Sequence, residues 1–163
     1  MTKPADTRPP LAGLAVATVF GVGYAPMAPG TFGSAAGLIV WWLLPASPAV
    51  QALAIVAIFF AGSWGGSVAE RHFGRTDPGQ VVIDEVMGML ITLFLNPVGW
   101  IGAVAGFLLF RIFDVWKPLG AREAQALPGG LGVVTDDVIA GLTACGVFHL
   151  ARLGLHSIGV HVI

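Results

Sequence analysis

The sequence predicts an all-α protein, a small bundle of about five to six largely apolar helices embedded in a membrane. Of 163 residues, 56% are hydrophobic and only 10% are charged, whereas an ordinary soluble domain has about 25% charged residues. Apolar stretches alternate with segments rich in Gly, Pro and charge, which is typical of helices joined by loops. A soluble chain of this length needs more polar side chains to face water, so a membrane protein is favoured.

The same composition excludes several other classes of protein. The net charge is −1 and no basic run is present, which argues against nucleic-acid binding. The single cysteine excludes a disulfide scaffold, and the high hydrophobic content excludes intrinsic disorder. The four histidines have neither cysteine partners nor an HExxH pattern, so the sequence predicts no zinc site.

Residues 1–10 predict a flexible N-terminal tail because they combine three prolines with charged side chains. The remainder, residues 11–163, is predicted to form a single helical domain. Within it, residues 11–23 are apolar but short and interrupted by glycine, so they predict a helix that lies on the surface or inserts shallowly.

Five further helices are predicted from the apolar stretches, with Thr31 as the N-cap of the first. Only the second is comfortably long enough to cross the hydrocarbon core of about 30 Å. The first and third are only about 20 Å long and predict partial spans or buried helices. The predicted ranges are 32–44, 49–70, 83–95, 98–113 and 136–153.

Carboxylates are concentrated at the predicted helix ends. An even number of helix passes separates every pair of these positions, whether or not the helices cross lipid. We therefore expect all of them at one end of the bundle, beside Thr31. The residues are Asp84 and Glu85 at the start of the third helix, Asp114 at the end of the fourth, and Asp136 and Asp137 at the start of the fifth.

The same counting predicts the orientation of the bundle. The basic residues Arg71, Arg75, Arg111, Lys117 and Arg122 lie at the carboxylate end, and Arg152 lies at the other end. Because Lys and Arg accumulate on the cytoplasmic side of membrane proteins, the carboxylate end is expected to face the cytoplasm.

A structural explanation for the acids is that they interact favourably with helix dipoles, each contributing about 0.3–1 kcal/mol at a helix N-terminus. This explanation does not cover Asp114, which follows a helix where a carboxylate is unfavourable. Several carboxylates at one place repel one another, and a divalent cation relieves that repulsion. Oxygen-only ligation favours Mg²⁺, Ca²⁺ or Mn²⁺.

Two basic residues among these acids predict a phosphate site. Arg111 lies three residues before Asp114, so an ion pair between them is the purely structural alternative. In the functional interpretation, Arg111 and Lys117 hold a phosphate, and Gly30 and Thr31 add the N–H groups of a helix N-terminus. A metal-dependent phosphate site beside a membrane indicates a lipid phosphate or a phosphoanhydride as substrate.

Four motifs in this order resemble the bacterial phosphatidylglycerophosphatase A family over about residues 20–144. They are APGTFGS at 28–34, VIDEVMGM at 82–89, FRIFDVWKP at 110–118 and GGLGVVTDDVIAG at 129–141. The resemblance implies a Mg²⁺-dependent phosphatase of the bacterial inner membrane, with several membrane passes and its active site facing the cytoplasm. It also implies the substrate phosphatidylglycerophosphate, hydrolysed to phosphatidylglycerol and phosphate in phospholipid biosynthesis.

The resemblance also implies roles for particular residues. Asp84, Glu85, Asp114 and Asp137 are the expected catalytic residues, and these four with Asp136 are the expected Mg²⁺ ligands. Gly30, Thr31, Arg111 and Lys117 are expected to bind substrate, although Thr31 is equally explained as a helix cap. Attack by water and formation of a phospho-aspartyl intermediate both remain open, and the oligomeric state is not predicted.

A second hypothesis, from a different class, is a small carboxylate-lined transporter or channel for divalent cations. The position of Arg111 and Lys117 among the acids opposes it, because these side chains would repel a permeating cation. A transporter would carry Mg²⁺ across a membrane without releasing phosphate.

Overall fold

The computed structural model describes residues 10–117, 121–124 and 127–157, and these residues form helices joined by loops, with no strand among them. The predicted all-α class is therefore confirmed. Residues 1–9, most of the predicted tail, lie outside the described residues. The helices are α1 Leu11–Ala17, α2 Pro29–Leu43, α3 Pro48–Phe73, α4 Ile83–Leu93, α5 Trp100–Trp116, the single turn α6 Ala121–Ala124 and α7 Gly130–Ser157, with a 3₁₀ turn at Val22–Tyr24.

Helix α4 is the centre of the bundle, and nearly all of its residues are buried. It packs against α2, α3, α5 and α7. A Cβ atom at Gly37 of α2 would lie 2.8 Å from the Cβ of Met89 and 2.9 Å from the Cα of Val86. The glycine therefore permits a backbone approach that no larger residue permits.

Helices α4 and α7 run side by side in the same direction, and they touch at a pair of glycines. A Cβ at Gly141 would lie 2.8 Å from the carbonyl oxygen of Gly88, and a Cβ at Gly88 would lie 2.4 Å from the Phe110 ring of α5. Three helices thus meet where Gly88 has no side chain.

The far ends of α4 and α7 are joined by a buried asparagine. Asn96 is 1% exposed, and its Oδ1 lies 2.9 Å from His149 Nδ1 and accepts a hydrogen bond of 3.0 Å from Arg152. Its side-chain amide donates to the carbonyl oxygen of Phe94 at 3.2 Å. These bonds fix the end of α4 to the second half of α7.

The predicted surface helix over residues 11–23 is wrong in extent, and one of its faces is packed against the protein. The α-helix ends at Ala17, and Val19 and Phe20 have left-handed φ values of 48° and 53°. Leu14 and Ala17 are buried, because Gly13 lets α1 lie directly against Val68 of α3. Helix α1 therefore belongs to the core.

Among the described residues, two helices, not one, are long and apolar enough to cross a membrane. These are α3, with 26 residues, and α7, with 28 residues. The sequence prediction missed α7 because it placed the glycines at 129–132 in a loop, whereas the helix begins at Gly130. Helices α2 and α4 have 15 and 11 residues and are short, as predicted.

Thr31 is not the N-cap of its helix. Helix α2 begins at Pro29, after Ala28 at the N-cap position. Proline is well tolerated at the first helical position because its fixed φ suits the helix and the missing N–H has no intrahelical partner there. The cap interpretation of Thr31 is therefore wrong.

Candidate active site

A cavity of about 260 Å³ lies at the end of the bundle where α4 and α7 bring their acids together. Eight of the nine predicted site residues line it, so the expected convergence at one end is confirmed. Thr31 is not among the described residues of its wall. The eight are Gly30 of α2, Asp84 and Glu85 of α4, Arg111 and Asp114 of α5, Lys117 after α5, and Asp136 and Asp137 of α7.

The glycine contact between α4 and α7 positions the two central acids. Asp84 lies four residues before Gly88, and Asp137 lies four residues before Gly141. Since residues four apart share a helix face, the close approach of the glycines places Asp84 beside Asp137 one turn away.

Asp136 and Asp137 do not begin a helix, contrary to the sequence prediction. Helix α7 starts at Gly130, so both acids lie beyond its first turn, where the dipole no longer stabilises a carboxylate appreciably. Gly130 belongs to this helix because it packs against α3: its N–H donates to Ser67 Oγ at 2.8 Å, and a Cβ there would lie 2.0 Å from the carbonyl oxygen of Ser63. Stabilisation by the helix dipole therefore does not account for Asp136 and Asp137.

Asp84, Glu85 and Asp137 form a compact carboxylate trio. One oxygen from each lies within 4.8 Å of the others. Within the described part of the chain, the buried atoms Glu85 Oε2 and Asp137 Oδ2 have no hydrogen-bond partner. Burying an unpaired polar group is costly, and three adjacent carboxylates, two of them with an unpartnered oxygen, match the ligands that Mg²⁺ or Ca²⁺ prefers. The residues present therefore fit a divalent cation.

The protonation of the α4 acids reflects this crowding. Burial, together with the charges of Asp77 and Asp136, raises the pKa of Asp84 to about 7. Burial and the neighbouring Asp84 raise the pKa of Glu85 well above its usual range. A cation among these groups would favour their charged forms.

Two ion pairs flank the trio and involve other acids. Arg111 pairs with Asp114 and also donates to Ser34 Oγ at 3.4 Å, so the ion pair expected from sequence is present. Lys117 pairs with Asp136. Burial by itself would lower the pKa of Lys117, but the hydrogen bond and charge of Asp136 outweigh it and raise that pKa. Lys117 is therefore a cation at neutral pH.

Gly30 lies against the trio, where any larger residue would collide with it. A Cβ at Gly30 would lie 2.2 Å from Glu85 Oε1 and 3.1 Å from an Arg111 guanidinium nitrogen. The absence of a side chain lets the first turn of α2 approach both an acid and a base.

Asp77 is a cavity residue that the helix pattern did not predict. It lies in the loop between α3 and α4 with a left-handed φ of 45°, and its N–H donates to Glu70 Oε1 at 3.1 Å. Burial is the main cause that raises its pKa. Helix counting missed it because the path of a Gly- and Pro-containing loop does not follow helical periodicity; its closeness to Asp84 in sequence was the available signal.

Comparison with known proteins gives a consistent family. The family model described as phosphatidylglycerophosphatase A matches residues 15–152, and the chain belongs to this family. It is a phosphatase. No solved structure matches the chain.

Three relatives match this chain over most of its length and most of their own. A Bacteroides thetaiotaomicron protein named "Putative phosphatidylinositol-3-phosphatase" is 39% identical, over 89% of this chain and 96% of that protein. The phosphatidylglycerophosphatase A of Escherichia coli is 35% identical, over 82% of this chain and 80% of the relative. That of Haemophilus influenzae is 36% identical, over 79% and 82%.

Proposed function

We propose that this protein is a Mg²⁺-dependent phosphatase that converts phosphatidylglycerophosphate to phosphatidylglycerol and phosphate at the cytoplasmic face of a bacterial inner membrane. The observation that carries this proposal is the trio of Asp84, Glu85 and Asp137, with two unpartnered buried oxygens, in one cavity with Arg111 and Lys117. The family assignment supports the substrate class, since two relatives carry the name phosphatidylglycerophosphatase A.

Asp84, Glu85 and Asp137 would hold the metal ion, and Asp114 and Asp136 lie beside them in pairs with cations. When bound, Mg²⁺ supplies Lewis acidity that offsets negative charge on phosphate oxygens. An ion with only oxygen ligands agrees with this donor set.

Arg111 and Lys117 would bind the phosphate. The guanidinium has five N–H donors, so groups beyond those bonded to Asp114 and Ser34 remain to face a ligand. Fixed positive charge in a partly buried cavity stabilises the charge that develops on the phosphoryl oxygens.

The reaction breaks the bond between phosphorus and the glycerol oxygen. A water oxygen bonds to phosphorus and loses a proton to a carboxylate of the cavity, and that carboxyl group passes the proton to the departing glycerol oxygen.

The test is phosphate release by the purified protein from phosphatidylglycerophosphate in mixed micelles. We expect release with Mg²⁺, none after chelation, and recovery when Mg²⁺ is restored. Phosphatidylinositol 3-phosphate serves as the comparison substrate because one relative is named for that activity, and we expect slower release from it.

Each alternative predicts a different result. Release that survives chelation contradicts the role of Mg²⁺, and faster release from phosphatidylinositol 3-phosphate contradicts the substrate. Mg²⁺ flux into liposomes without any phosphatase activity would support the transporter hypothesis instead.

A further inference from the structure

A second depression, largely apolar, adjoins the acidic cavity on the outer face of α5. It measures about 740 Å³ and is lined by Leu108, Ile112, Val115 and Trp116 together with Arg111. Arg111 also lines the acidic cavity, so the two spaces share this side chain. The four apolar residues are between 56% and 72% exposed.

The ends of α5 indicate the environment of this face. Trp100 and Trp116 stand at its two ends and are 67% and 64% exposed. Exposed tryptophans are enriched at the two interfaces of a membrane, and 17 residues give a helix of about 25 Å. The outer face of α5 therefore suits a hydrocarbon layer, with the acidic cavity at the Trp116 end.

A phospholipid substrate connects these two spaces. Its phosphate is covalently linked to acyl chains, so a phosphate held beside Arg111 requires an apolar surface next to the cavity. The α5 depression meets this requirement through Arg111. A separate apolar groove of about 550 Å³ between α3, α4 and α7 shares none of its described lining residues with the cavity.

We propose that the outer face of α5, at Leu108, Ile112, Val115 and Trp116, is the binding surface for an acyl chain of the lipid substrate, whose phosphate enters past Arg111. This inference rests on the proposed lipid phosphatase function and adds where the hydrocarbon part binds. It makes α5 responsible for selecting lipid over short-chain phosphate esters.

The experiment compares long-chain phosphatidylglycerophosphate in mixed micelles with a short-chain, water-soluble form that has the same headgroup. In the double variant Leu108→Ala with Ile112→Ala, we expect kcat/KM for the long-chain substrate to fall about tenfold, equivalent to about 1.4 kcal/mol. The short-chain value should change by less than about twofold, because the phosphate contacts are intact.

The matched control is the double variant Leu150→Ala with Leu153→Ala, at two leucines of α7 that are 70% and 60% exposed. It should leave kcat/KM unchanged for both substrates. Leu142→Ala probes the separate groove of α3, α4 and α7. A chain-length-selective loss in Leu142→Ala, an equal loss on both substrates in the α5 variant, or no loss there would each overturn the inference.

Two further results distinguish a failure of the acyl-chain surface from a failure of the proposed function. A wild-type protein that hydrolyses neither substrate contradicts the proposed function itself, whereas active wild type with an unaffected α5 variant contradicts only the acyl-chain surface. If the α5 variant changes the molecular mass in detergent, measured by light scattering, a second copy of the chain occupies this face and the inference is wrong.

Discussion

The carboxylate trio lowers the stability of the fold when no cation is bound. Glu85 Oε2 and Asp137 Oδ2 are buried with no partner among the described residues, and leaving a buried polar group unpaired costs about 1–3 kcal/mol. Ionisable groups in such apolar surroundings are typically functional. Activity and stability should therefore respond in opposite directions when these groups are neutralised.

We expect Asp84→Asn, Asp114→Asn and Asp137→Asn each to reduce phosphate release by about a thousandfold or more, since residues that act as a unit are strongly interdependent. In chelator, thermal unfolding of Asp137→Asn should occur at the same temperature as in wild type or higher, because a buried acid has been neutralised. Near-wild-type rates in all three variants would refute the site.

At the scale of the elements, glycines determine where helices touch, and one of them acts at the active site. Gly30 lies in the first turn of α2, and a Cβ there would lie 2.2 Å from Glu85 Oε1. Gly146 of α7 has nothing within 4 Å of its Cβ position. Comparing substitutions at Gly30 and Gly146 therefore separates the effect of helix propensity from the effect of crowding at the trio.

Gly30→Ala should displace the Glu85 carboxylate and lower kcat at least about tenfold, although alanine by itself favours a helix by about 0.5–1 kcal/mol. Gly146→Ala should retain full activity and gain about that stability. Kinetics and thermal unfolding of both variants test this, and an active Gly30→Ala enzyme would show that the contact at α2 is not required.

The asparagine link at the far end of α4 has a structural role. Asn96→Ala would leave His149 and Arg152 without their shared acceptor, so we expect about 1–3 kcal/mol less stability. The site lies about 18 Å away along the helices, so activity per folded molecule should persist.

The control for Asn96 is Cys145→Ala, which removes two long contacts of the thiol, at 3.7 Å from the Asn96 side-chain amide and 3.6 Å from the Phe94 carbonyl oxygen. We expect this variant to keep its activity and to lose less than about 1 kcal/mol, since sulfur is a weak acceptor. Denaturation in detergent measures both changes. An equal loss in the two variants would contradict the importance of the Asn96 oxygen.

At the scale of the whole molecule, α3 and α7 are, among the described residues, long and apolar enough to cross a membrane. The acidic cavity gathers the loop after α3 and the last turn of α5 at one end. The predicted cytoplasmic orientation of that end follows from the positions of Lys and Arg and is open to a direct test.

Single cysteines in a Cys145→Ala background test this orientation. Arg75→Cys, in the exposed loop after α3, should react with a membrane-impermeant maleimide only in inverted vesicles. Ala46→Cys, in the exposed turn before α3, should react only in right-side-out vesicles. Reversed labelling would place the cavity on the outer face of the membrane.

Much of the site was predictable because the convergence of helix ends depends on few structural details. Whether helix ends meet depends on the number of passes, and that number tolerates errors of several residues at each boundary. The convergence of Asp84, Asp114 and Asp137 was therefore expected although the start of α7 was misplaced by six residues, at 136 instead of Gly130. The charged residues were also easy to recognise because the rest of the chain is mostly apolar.

By itself, the sequence determined the all-α class, the family motifs and the end of the bundle at which acids and bases gather, because hydropathy and chain direction are properties of the chain alone. Only the tertiary structure decided that Gly130 is helical, that Asp77 reaches the cavity, and that Asp84, Glu85 and Asp137 form the trio while Asp114 and Asp136 pair with cations. These outcomes depend on contacts between distant segments at distances of a few ångströms, which local patterns do not encode.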